Sequence, residues 1–78
     1  MNVRILDEAE QDLIDSFRFY ELREAGLGDY FLNALFSDID SLHLYAGIHS
    51  VHFGYYRLLA ARFPFAIYYK IKGATVNV

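Results

Sequence analysis

Arg57 and Arg62 stand among Tyr55, Tyr56, Phe63 and Phe65, with Lys70 and Lys72 close behind. Such a mixture suits a nucleic-acid or target-binding surface, because a guanidinium pairs with phosphate while neighbouring rings stack on bases. Only these four cations lie in the second half of the chain, so a plainer alternative is preferred. In it the aromatics belong to the core, and the arginines are solvated or paired with helix carboxylates. Direct nucleic-acid binding is therefore not expected.

His43, His49 and His52 place three imidazoles within ten residues. That density could hold zinc or nickel, or move protons near neutral pH. No Cys or acid falls inside the segment, and its spacing matches no structural zinc motif. Ordinary hydrogen-bonded loop histidines are expected, and no metal site. Asp38 and Asp40 are two apart on a helix and so do not face each other as a catalytic pair would. Ser16, Ser37, Ser41 and Ser50 sit in no Gly-x-Ser-x-Gly elbow. Cysteine, a phosphate-binding glycine loop and a His-Glu-x-x-His helix are all absent from the sequence, and no cofactor is expected.

The elements that must position these residues follow from the apolar pattern. Asn2 to Leu6 alternates with period two and reads as a strand. Asp7 and Glu10 have the spacing of a capping box, predicting a helix start. Ala9, Leu13, Phe17 and Tyr20 then form one apolar stripe, so the first helix is expected over residues 8–25. Gly26 and Gly28 bracket its end. Phe31, Leu35, Ile39 and Leu42 repeat the helical spacing, with Asp29 in the first turn. Two helices so closely joined form an antiparallel hairpin. Residues 43–53 break the pattern and read as a loop. Strands are expected at Tyr55 to Ala60, Phe65 to Ile71 and Ala74 to Val78, with Pro64 before the second of these and Lys72-Gly73 as a turn. The expected order is β-α-α-β-β-β, an α+β fold with the helical hairpin packed on a small antiparallel sheet. Leu13, Phe17, Leu35, Ile39, Ile67 and Tyr69 are its expected core.

The chain has 78 residues, which allows one domain with a marginal core. With 55% hydrophobic residues it is too apolar to be disordered. Residues 1–40 hold three arginines against all ten acids, a net of −7, whereas residues 41–78 hold four cations and no acid. Such asymmetry suggests two faces with different partners. No apolar run is long enough to span a bilayer, and no h-region follows Met1-Asn2-Val3-Arg4, so a cytoplasmic protein without a membrane partner is expected.

Three stretches carry a family resemblance: Asp7-Glu8-Ala9-Glu10-Gln11-Asp12-Leu13 after a short strand; the Gly26-Leu27-Gly28 joint with Phe31; and Arg57-Leu58-Leu59 leading to Arg62-Phe63-Pro64-Phe65-Ala66-Ile67-Tyr68-Tyr69-Lys70-Ile71. Together they resemble the ParE branch of the RelE/ParE toxins, the plasmid-stabilisation proteins. The resemblance implies a single toxin domain over residues 1–78, from a bacterial type II toxin–antitoxin module, with a cognate antitoxin as partner. ParE-like members poison DNA gyrase by binding it, and RelE-like members cleave mRNA on the ribosome with a basic cluster. Arg57 lies where the ribonucleases place a first strand lysine and is the one catalytic candidate. Leu59 and Ala66 fall where further catalytic basic residues would stand. Cutting RNA needs a base, an acid and charge stabilisation, so this set is incomplete and a non-enzymatic, protein-binding toxin is expected. The alternatives are a RelE-like ribosome-dependent mRNA endonuclease and an inactive remnant serving only as an interaction module. Compared with the family the last strand is truncated at Val78. The resulting open edge predicts a homo-oligomer in isolation and a heteromer with a small acidic antitoxin.

Overall fold

A computed structural model describes all 78 residues. The elements run β1 (Asn2–Arg4), α1 (Asp7–Arg23), α2 (Leu27–Asp40), α3 (Leu42–Tyr45), β2 (Val51–His52), β3 (Tyr55–Leu59), β4 (Ala66–Lys72) and β5 (Thr75–Asn77). The fold is α+β: the α1–α2 hairpin packs on one face of a five-stranded sheet of order β1-β5-β4-β3-β2. β2, β3, β4 and β5 are antiparallel neighbours, whereas β1 joins β5 in parallel, so the sheet is mixed rather than wholly antiparallel. A parallel pair needs a long crossover, and almost the whole chain intervenes between these two strands.

β5 lies inside the sheet, not at its edge. Asn2 N–H donates to the Ala74 carbonyl and Val78 N–H to the Arg4 carbonyl, both at 2.9 Å, while Lys72 and Lys70 pair with Thr75 and Asn77 on the other side. The open edge expected beyond the last strand is therefore not formed. The free edges belong to β1 and β2. The segment expected as a loop over residues 43–53 also contains structure, namely most of α3 and all of β2.

No capping box forms at the first helix. Leu6 is its N-cap and makes no side-chain cap, and Asp7 is already inside the first turn with Glu8 and Glu10. Those three carboxylates instead complement the positive end of the helix dipole. At the joint, Gly26 adopts φ +88°, a conformation open to glycine at little cost. The Glu21 carboxylate reaches across and accepts from Gly26 N–H at 2.9 Å and Gly28 N–H at 3.0 Å, satisfying amides at the start of α2. Gly28 is where the helices approach most closely: a Cβ there would lie 2.8 Å from the Phe17 ring and from the Phe17 carbonyl oxygen.

α2 supplies most of the core. Its Phe31, Ala34, Leu35 and Ile39 are buried together with Ile67 of β4. Leu42, Tyr69 and Val76 form a second buried group. α1 has no buried residue, and Leu13 and Phe17 are half-buried rather than buried. The physical reason is position: α1 is the outer element and α2 occupies the layer between it and the sheet. Phe31 stands within 5.2 Å, centroid to centroid, of Tyr20, Phe63 and Phe65, so one aromatic cluster joins α1, α2 and the β3–β4 connection. Asp38 also fixes that connection by accepting from Ala61 N–H at 3.1 Å.

Candidate functional site on the outer sheet face

Strand alternation sorts the candidate residues. In β4, Ile67 and Tyr69 point to the helices and are buried, while Ala66, Tyr68, Lys70 and Lys72 are exposed on the opposite face. Register carries this division across the sheet, because residues directly paired share a face. Arg57 pairs with Tyr68, Tyr55 with His52, and Leu59 with Ala66. Lys70 pairs with Asn77, which pairs in turn with Arg4. The outer face thus carries Arg4, Arg57, Lys70 and Lys72, together with His52, Tyr55 and Tyr68.

All ten acids lie between Asp7 and Asp40, on the helical side of the chain, and none belongs to a strand. The single ion pair in the protein is His43–Asp40, with Nε2 3.6 Å from Oδ1. No lysine or arginine therefore meets a carboxylate, and the expected pairing of the arginines with helix carboxylates does not occur. Lys70 Nζ lies 4.4 Å from the centre of the Tyr55 ring, a cation–π contact. Arg57 is half-buried, and its Nε has no hydrogen-bond partner; the same holds for His52 Nε2, on the diagonal position of the next strand. Buried donors of this kind are seldom left unmade, and an anion arriving at this face would satisfy the Arg57 N–H.

Arg62 is separated from this group. It sits exposed in the β3–β4 connection beside Phe63, outside the sheet. The flanking aromatics also divide: Phe63 and Phe65 pack against the core and Tyr56 stacks on buried Tyr69 at 5.1 Å, whereas Tyr55 and Tyr68 remain outside. Leu59 and Ala66, where the resemblance would have basic residues, form an apolar pair next to Arg57.

The three histidines have three different surroundings. His43 Nδ1 donates to the Met1 carbonyl at 2.6 Å. His49 Nδ1 meets Tyr69 Oη at 2.5 Å, and that hydroxyl also accepts from Gly47 N–H at 3.0 Å. His52 alone reaches the outer face.

Sequence reasoning missed Arg4, His52 and Phe53 as members of this region. Arg4 alternates with Val3 and Ile5, so its outward direction was visible, but its place beside β5 depends on a pairing distant in sequence. Phe53 is 99% exposed at the tip of the β2–β3 hairpin with φ +53°, next to Gly54 at φ +82°. Two successive positive φ values are what a tight two-residue hairpin needs, and a Phe pays strain to adopt one.

As chemistry, the face offers unpaired cations, two exposed phenol rings and one imidazole, arranged to bind an anionic surface. Comparison with protein-family models, with curated proteins and with solved structures finds no match to this chain.

Proposed function

We propose that this chain is the toxin component of a type II toxin–antitoxin module of ParE type, which acts by binding a protein target of the DNA gyrase class and is neutralised by a cognate antitoxin. The observation that carries this reading is the acid-free outer sheet face, where Arg4, Arg57, Lys70 and Lys72 have no carboxylate partner. Unpaired cations on one face steer and hold an acidic partner. The helical hairpin followed by a meander of strands supports the reading as well, since it is the element order the resemblance implies. The apolar Leu59–Ala66 pair favours a protein partner over RNA, because it puts methyl groups where a phosphate-binding set would need charge.

A second reading, RelE-like mRNA cleavage, draws on one specific observation: His52, Tyr55, Arg57 and Tyr68 share the outer face, so an imidazole and two phenols accompany the arginine. Controlled expression in bacterial cells distinguishes the two. Growth arrest with DNA damage and intact mRNA is the expected result. Arrest with cleaved mRNA transfers the reading to the ribonuclease class, and growth unaffected by expression refutes both.

A further inference from the structure

We infer that the β2–β3 hairpin tip of one copy of this chain docks into the acid-rimmed groove of a second copy, making a head-to-tail assembly with Phe53 as its anchor. The groove consists of two adjoining cavities of about 500 and 310 Å³ that share Ile5 and Phe36. The smaller is lined by Leu13, Ile14, Phe17 and Leu32 besides these two, and has room for a phenyl ring. Glu10 borders it, Asp40 borders the larger cavity, and no Lys or Arg lines either. Asp40 keeps 81% of its side chain exposed although it lies near His43, so its carboxylate remains open to a second cation.

The tip is the complement of this groove in shape and charge. Phe53 is 99% exposed and held at φ +53°, where asparagine or glycine would be less strained. A fully exposed ring kept in a strained conformation is costly for an isolated chain. Around it stand His52, Arg57 and Lys70 on a face without acids. An apolar anchor ringed by cations thus meets an apolar floor ringed by carboxylates.

Topology makes the contact feasible between copies. β2 is one edge of the sheet and β1, whose Val3 lines the groove, is the other. Tip and groove therefore lie on opposite edges, and one copy can offer its tip while accepting another. Such a contact is heterologous and closes into a ring or extends as a filament. It involves the helical side of the second copy and does not depend on what the toxin target is.

The test is sedimentation mass measurement over a dilution series of the full chain. The wild type is expected to exceed monomer mass at high concentration, and added salt should lower that mass. Phe53→Asn removes the anchor but suits the left-handed backbone, and it should be monomeric with an unfolding midpoint no lower than wild type. Glu10→Lys/Asp40→Lys reverses the rim and should also be monomeric with an unchanged midpoint. Mixing the two variants joins the intact groove of the first to the intact tip of the second, and should give a 1:1 dimer of twice the monomer mass that grows no further. A monomeric wild type, a Phe53→Asn protein that still associates, or a mixture that stays monomeric would each overturn the inference. Growth arrest is read separately in the same variants, so loss of toxicity is not confused with loss of assembly.

Discussion

The two faces of strand β4 obey different demands. Toward the helices, Ile67 and Tyr69 are nearly or wholly removed from water, packed among Leu42, Val76 and the α2 residues. Toward solvent, Ala66, Tyr68, Lys70 and Lys72 stand exposed, and the cations have no carboxylate partner. Stability in a domain this small depends on the first face, because its few buried side chains carry most of the apolar burial. The second face contributes little to folding and is free to be specified by what it binds. Substitutions should therefore separate: inner ones act on folding, outer ones on binding.

Phe31→Ala should produce the largest effect. It removes the ring shared by Tyr20, Phe63 and Phe65 and should cost about 3–5 kcal/mol, enough to unfold much of a marginal domain at 37 °C. Chemical denaturation measures it. A change below about 1 kcal/mol would mean that the aromatic cluster is not the centre of the fold. Gly28→Ala comes next, since its Cβ would press on the Phe17 ring and backbone at 2.8 Å. Overpacking of this kind costs about 1–3 kcal/mol, and should appear as a lower thermal midpoint.

Tyr69→Phe keeps the ring and deletes the hydroxyl that holds Gly47 N–H and His49. About 1 kcal/mol should be lost, with faster hydrogen exchange confined to the 46–50 segment. Unchanged exchange at Gly47 would show that the hydroxyl does not hold the segment. On the outer side the sign reverses. Phe53→Asn should gain up to about 1 kcal/mol by relieving the left-handed strain at φ +53°. A clear loss of stability would place Phe53 among the folding residues and blur the contrast.

Much of the inner face was legible in the sequence. The alternation of Phe65, Ile67, Tyr69 and Ile71 correctly assigned the inward side of β4, and the Phe31–Leu35–Ile39 spacing correctly assigned the buried side of α2. Periodicity reports direction but not depth, which is why Leu13 and Phe17 face inward from an outer helix yet stay half-buried. α3 and β2, four and two residues long, are too short to establish a period. The β1–β5 pairing joins the two ends of the chain and leaves no local signal, so Arg4 was counted with the acidic half although it lies on the basic face. For the candidate site, the alternation put Lys70 and Lys72 on one side of a strand, but only the register brought Arg57 beside them and left Arg62 outside.

Arg57→Gln/Lys70→Gln tests the central claim most directly, with stability and growth arrest measured on the same double variant at equal soluble expression. Both side chains lie on the outer face and neither has an ion-pair partner, so unfolding free energy should stay within about 0.5 kcal/mol of wild type. Growth arrest should be lost. Arrest at wild-type strength in a folded double variant would contradict the account, because the outer sheet face would then not be the surface through which this protein acts.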